Sequence, residues 1–179
     1  ATMAGAAGWW LHQSPAPVRK LDLAVENIDV AVYTAPHVSP DGRRLVYVAD
    51  NTIYVRSFDS LDATPVPESA DGVYPSWSPD GHDLIYVKRG QLMRTALDGT
   101  KPVVLGAVPS DMSGSGATLW MPDGRILLTG ADSVGLSYIA ARGGDVQTIV
   151  PIDKKTEIDF HELAPLPNGG VLFTVHKVS

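Results

Sequence analysis

The 179-residue sequence predicts an all-β fold assembled from repeated four-stranded antiparallel sheets, and three observations predict it. A proline-centred turn recurs as "SPDG" at 39–42 and 78–81, "MPDG" at 121–124 and "LPNG" at 166–169. Its prolines, Pro40, Pro79, Pro122 and Pro167, lie 39, 43 and 45 residues apart, the spacing of one repeated supersecondary unit. Each turn is followed by a run rich in β-branched and aromatic residues, "RRLVYVA", "HDLIYVK", "RILLTG" and "GVLFTV". No segment sustains a 3.6-residue period over ten or more positions, which excludes helical repeats of similar length.

Each turn residue has a physical task. Proline sets φ near −65° at the first corner, Asp41, Asp80, Asp123 or Asn168 hydrogen-bonds its own backbone at the second, and Gly42, Gly81, Gly124 or Gly169 accepts the positive φ that returns the chain. After the first strand comes a second, "TIYVRSF", "QLMRTAL" or "GLSYIAA", then an Asp/Gly turn and a short third, "TPVPE", "KPVVLG" or "VQTIV". With the stretch before each proline turn, such as "YPSWS", every unit has four strands. Four strands in about 40 residues, each unit covering its neighbour's face, is the arithmetic of a β-propeller blade. The expected blades are 34–68, 73–106, 116–150 and an incomplete 161–179, within a propeller segment of 17–179. The segment 17–25, which contains "VRKLDLAV", reads as an outermost strand without its own blade.

The pattern "PSWSPDG…LIYV…GQLMRTALDG…PVVL" resembles the TolB-like β-propeller repeat over about residues 17–176. Trp77 and Trp120 hold one position of that repeat, two residues before the turn proline, where they are expected to pack between blades; Val38 and Pro165 hold it in the outer units. The sequence departs from the family in length, with about three and a half blades where propellers usually need four to eight to close. An open arc exposes apolar faces and strand edges, so closure by a homodimer, or by the missing half of a longer chain, is expected.

Composition narrows the partners. A formal charge of −6, with no basic cluster, opposes nucleic-acid binding. Without cysteine there is no disulfide, thiolate metal site or thiol nucleophile, which suits a reducing compartment and many periplasmic proteins alike. Residues 1–16 are small and apolar up to Trp9 and Trp10 and then polar and proline-containing. The run is about half of what spans a bilayer, so it reads either as the end of a cut transmembrane helix, the only expected link to a membrane, or as an arm docking its tryptophans. Together with the repeats, this segment resembles the extracytoplasmic part of bacterial transmembrane serine/threonine protein kinases, which implies a sensor outside the cytoplasm. No kinase loop is present in the sequence.

No nucleophile elbow, P-loop, zincin or EF-hand motif occurs, and "SGSGAT" at 113–118 reads as an inter-blade connection. Position in the fold says more. Connections from one blade's outermost strand to the next blade's innermost strand emerge on one face, and here they carry Glu26, Asp29, Glu68, Asp71, Asp111, Asp153, Glu157 and Asp159. The innermost strands add His37, His161 and Glu162. The candidate metal set is therefore His37, His161, Glu162, Asp159 and Asp111, with zinc, manganese or calcium as the cation. The alternative is that these loops are acidic because they are solvated. His82, His176 and His12 are expected on the surface. Two functions follow: a noncatalytic module binding a small molecule or protein at the channel mouth, which the sequence favours, or a metal-dependent hydrolase of phosphoesters or lactones. No organic cofactor is implied.

Overall fold

The computed structural model describes residues 35–109, 112, 116–130 and 134–178. The strand expected at 17–25, the apolar arm with Trp9, Trp10 and His12, and the acids Glu26, Asp29 and Asp111 lie outside these residues. The described chain folds as a partial β-propeller of three and a half blades. Blade one is β1 (His37–Val38), β2 (Arg44–Ala49), β3 (Thr52–Ser57) and β4 (Ala63–Pro65). Blade two is β5 (Gly72–Trp77), β6 (Asp83–Lys88), β7 (Gln91–Ala96) and β8 (Val103–Ala107). Blade three is β9 (Ala117–Trp120), β10 (Arg125–Thr129), β11 (Leu136–Ala140) and β12 (Gln147–Val150). Each of these three sheets is antiparallel in sequence order, while the fourth contains only β13 (Glu157–Pro165) and β14 (Val171–Lys177).

The turns form as their chemistry requires. In the first, Ser39 Oγ donates to Asp41 Oδ1 at 2.5 Å, that oxygen accepts from the Arg43 amide at 3.1 Å, and Ser39 Oγ accepts from the Arg44 amide at 2.9 Å. The second repeats this through Ser78, Asp80, His82 and Asp83 at 2.6, 3.0 and 2.9 Å. Gly42 and Gly81 take φ of 68° and 73°, which a side chain would strain. These bonds to the ionised form hold the Asp41 and Asp80 carboxyls below their ordinary range, the serine hydroxyl being the largest cause.

The apolar runs are continuous because each strand serves two cores. On β6, Leu84 and Tyr86 join Val46, Val48, Ile53 and Trp77 between blades one and two. The alternate residues Ile85 and Val87 join Ile126, Leu128 and Ile139 between blades two and three. On β10 the intervening Leu127 turns the other way, onto Phe160 of blade four. Full burial of each such side chain contributes about 1.5–3 kcal/mol, so the stack of blades is one cooperative core.

Polar ties cross the same seams. Trp77 Nε1 donates to the His37 carbonyl at 2.9 Å, and the Arg44 guanidinium lies 4.9 Å from the Trp77 ring centre while donating to the Gly81 carbonyl at 2.7 Å. One seam further on, Arg94 stands 5.3 Å over Trp120 and is held by Asp83.

Candidate metal centre

The last blade departs from the sequence reading. β13 starts at Glu157, four residues before the blade was expected to begin, so Glu157 and Asp159 belong to the innermost strand and not to an acidic connection. The reason is that β13 carries two bulges. Its register against β14 runs Glu157 to Lys177, Asp159 to His176, Phe160 to Val175, His161 to Thr174 and Leu163 to Phe173, with Ile158 and Glu162 as the extra residues. Bulges break the two-residue alternation by which a strand is recognised.

They also sort the side chains. Phe160 and Leu163, with Phe173 and Val175 of β14, pack on Met121, Leu127 and Leu136 of blade three. Asp159 and His161, with Thr174 and His176 opposite, therefore occupy the other face of the sheet. Glu162 has φ of 54°, which swings its carboxylate to that face, where Oε2 accepts from Thr174 Oγ1 at 2.8 Å.

Among the described residues, one group of three or more has the make-up and spacing of a metal site: Asp159, His161 and His176, with one donor atom of each within 4.8 Å of the others. Asp159 Oδ1 lies 3.5 Å from His176 Nδ1 and 3.9 Å from His161 Nε2. The imidazole rings stand edge to face, 6.2 Å apart. Donors bound tetrahedrally at 2.0–2.2 Å from one ion are about 3.4 Å apart, so this spacing needs only small side-chain adjustments to fit. Asp159 is 7% exposed, and its Oδ1 is buried without a hydrogen bond, the state of an atom awaiting a cation or a proton. His176 was expected to have only a surface role near the chain end; the cross-strand pairing with Asp159 makes it a third donor, a relation that appears only once the register is known.

The structure does not bring the remaining expected residues to this group. His37 lies on β1 opposite Val46, which faces blade two, at the other end of the arc from His161. Burial pushes its imidazole below the usual range, so it stays neutral at pH 7. Asp71 is engaged by Arg89 at 2.9 Å. Asp153 and Glu157 are used within their own turn, where Glu157 Oε2 accepts from the Asp153 amide at 2.9 Å and Asp153 accepts from Lys155 and Thr156. A separate groove of about 470 Å³, lined by Arg44, Ser57, Asp62 and Leu97, lies on blades one and two and carries none of these donors.

No protein-family model matches the chain, and no curated protein matches it in sequence. Its fold is similar to that of an oligogalacturonate lyase solved in complex with manganese, at 15% identity and TM-score 0.54, over 79% of this chain and 46% of the lyase. It is also similar to the extracellular domain of a protein described as a hybrid two-component system from B. thetaiotaomicron, at 14% identity and TM-score 0.53, over 80% and 19% of the two chains. A protein described as TolB from Agrobacterium tumefaciens is matched at 16% identity and TM-score 0.47, over 81% and 70%. The chain spans less than half the length of the lyase, and likeness at this identity establishes the propeller fold alone.

Proposed function

We propose that this chain is a metal-dependent hydrolase of uncharged esters, built on a partial propeller, with Asp159, His161 and His176 as the metal ligands. The observation that supports it is the meeting of a buried carboxylate and two imidazoles, donors within 4.8 Å, on the face of blade four turned away from blade three. Zinc and manganese accept such mixed nitrogen and oxygen donors, whereas calcium takes oxygen alone, so the two histidines select against calcium. Three protein donors leave positions open for water and substrate, and an ion so held supplies Lewis acidity and a more acidic water. The chain's own residues orient and tune the site. β13 fixes Asp159 and His161, β14 fixes His176, and Glu162, held by Thr174, offers a carboxylate on the same face to take up a proton. With the carboxylates of Asp159 and Glu162 on one face, a doubly charged phosphomonoester is disfavoured relative to a phosphotriester or lactone.

A noncatalytic binding or sensing module is the second reading, supported by the likeness in fold to the extracellular domain of a protein described as a hybrid two-component system. It carries with it a location outside the cytoplasm and a parent receptor, of which a bacterial receptor kinase is one kind. No helix among the described residues is long and apolar enough to cross a membrane.

One experiment separates the two. Protein prepared without added metal is titrated with Zn²⁺ and Mn²⁺ by calorimetry, and hydrolysis of diethyl 4-nitrophenyl phosphate and of a γ-lactone is followed with and without chelator. Hydrolysis that chelation abolishes and metal restores is the expected result. Metal binding without turnover assigns the noncatalytic role instead, and failure to bind either ion removes the metal centre.

A further inference from the structure

We propose that the groove on blades one and two is a binding site for a small organic monocarboxylate with an apolar body. Nothing in this site depends on the metal centre. Two seams that are otherwise built alike differ here in one respect. In each, a guanidinium covers the tryptophan that precedes the proline turn: Arg94 lies 5.3 Å over Trp120, and Arg44 lies 4.9 Å over Trp77. Arg94 Nε and Nη2 both donate to Asp83 Oδ2, the first at 2.9 Å, so blade two supplies its own counter-charge. Arg44 donates through Nη2 to the Gly81 carbonyl at 2.7 Å and forms no ion pair among the described residues. Asp41, in the turn before it, is occupied by the Ser39 hydroxyl and the Arg43 amide.

Strand register accounts for both the missing acid and the groove. Asp83 pairs with Ala96 and Arg94 with Ile85, so the ion pair of blade two joins the first residue of β6 to a residue of β7 diagonally across the ladder. In blade one Arg44 pairs with Ser57 and Val55 with Val46, which makes Arg44 the counterpart of Asp83 and Val55 that of Arg94. The cation has moved to the acid's position, and a short apolar side chain stands where blade two has a long charged one. Arg44, Val55 and Ser57 accordingly line a cavity of about 470 Å³, a volume in the range of small-molecule sites. Val66, which is 4% exposed, and Leu97 extend the apolar core of the seam into its wall, and Thr64 adds a hydroxyl. A guanidinium held over an indole presents a planar fork of donors, for which a carboxylate is the matching acceptor. A half-buried cation without a counter-charge gains from an anion whose body also displaces water from the apolar wall. Asp62, exposed and on the same lining, disfavours a second negative charge and so restricts the ligand to a monoanion.

The test is titration of the chain with phenylacetate, after passage over a chelating resin to keep the Asp159 group free of metal, followed by amide shifts in two-dimensional NMR. Saturable shifts at Val55, Ser57, Thr64 and Leu97 are expected. Phenylacetamide keeps the ring and loses the charge, inorganic phosphate keeps charge and loses the ring, and each is expected to bind about 10-fold more weakly or worse. Val55→Glu and, separately, Ser57→Asp place a carboxylate beside Arg44 as Asp83 stands beside Arg94, and each is expected to weaken phenylacetate binding by about 10-fold or more. Absence of saturable shifts up to about 20 mM phenylacetate overturns the proposal. So do shifts confined to other parts of the chain, an affinity for phenylacetamide or phosphate equal to that for phenylacetate, and a folded Val55→Glu or Ser57→Asp variant that binds as the wild type does. Should both variants fail to fold, the ranking of the three ligands on the wild type decides the matter alone.

Discussion

Trp77→Phe tests the seam between blades one and two. The ring sits in the core with Val46, Val48, Ile53 and Leu84, and phenylalanine keeps most of that contact. What it loses is the Nε1–H bond to the His37 carbonyl at 2.9 Å and part of the attraction for the Arg44 guanidinium 4.9 Å from the ring centre. Leaving a half-buried carbonyl without its donor costs about 1–2 kcal/mol. A smaller π-face under Arg44 costs about 0.5 kcal/mol more, and the smaller ring leaves space worth a comparable amount. The sum, about 2–3 kcal/mol, corresponds to a midpoint lowered by about 4–10 °C in a domain of this size. Equilibrium urea unfolding followed by far-UV circular dichroism, at fixed protein concentration because association shifts apparent stability, measures it. An unchanged slope with a lower midpoint is expected. A loss below about 0.5 kcal/mol would show that the tryptophan-to-carbonyl tie does not couple the blades, and with it would go the physical account of why this residue recurs in the repeat.

Three further outcomes follow from the structure. A Cβ at Gly106 would stand 2.6 Å from the Gly144 carbonyl oxygen and 2.6 Å from Ile139 Cδ1, so Gly106→Ala is expected to destabilise by about 1–3 kcal/mol; a neutral result in thermal melts would mean that blades two and three are free to move apart. His37 has its folded-state pKa lowered by burial below 6.5, so the unfolded chain binds the extra proton first. Its contribution to stability is complete above the unfolded value, is lost as pH falls from about 6.5 towards the folded pKa, and is removed by His37→Leu, which flattens midpoint against pH in that window; an unchanged profile refutes the assignment. Asp159→Asn keeps the shape of the side chain but removes the charge from the buried donor, and is expected to weaken Zn²⁺ binding in calorimetry by 10-fold or more, whereas His82→Ala, an exposed turn residue, leaves it unchanged.

The fold was legible because its determinants are local. A turn whose Ser, Pro, Asp and Gly each satisfy one requirement of the corner announces a strand on either side, and β6 and β10 read as buried on both faces because each supplies alternate residues to two cores. The turn also survives substitution in a way the pattern anticipated. Where Met121 replaces serine, Asp123 still accepts the Arg125 amide at 3.0 Å and its other oxygen binds the Arg125 side chain at 2.8 Å. In the last blade Asn168 accepts the Gly170 amide at 3.0 Å.

Of the candidate triad Asp159, His161 and His176, the sequence reading singled out the first two as possible ligands, and His176 joins them only through the register of β13 and β14. Position on an innermost strand is enough to name His161 and Glu162, and Asp159 was expected on the acidic connection before it, but strict alternation over "EIDFHELAP" puts Glu157, Asp159, His161 and Leu163 on one face, half of it carboxylate and the last of it leucine. That arrangement neither packs on blade three nor concentrates imidazole. The bulge at Ile158 aligns Glu157 with Lys177, on the opposite face from His176, and the bulge at Glu162 returns Leu163 to the core beside Phe160. Between the two, Asp159 and His161 are left facing outward with His176 directly across the ladder, and the positive φ at Glu162 adds a second carboxylate to their side. Bulges of this kind cost ladder hydrogen bonds and, at Glu162, a left-handed backbone for a non-glycine residue, so a strand whose only task was to pack would be selected to lose them. Straightening β13 by deleting Glu162 is therefore expected to abolish Zn²⁺ binding by turning Asp159 and His161 onto the face with Leu163 or expelling Leu163 from the core. Retention of both metal affinity and thermal midpoint after that deletion would mean that the bulge does not set the site.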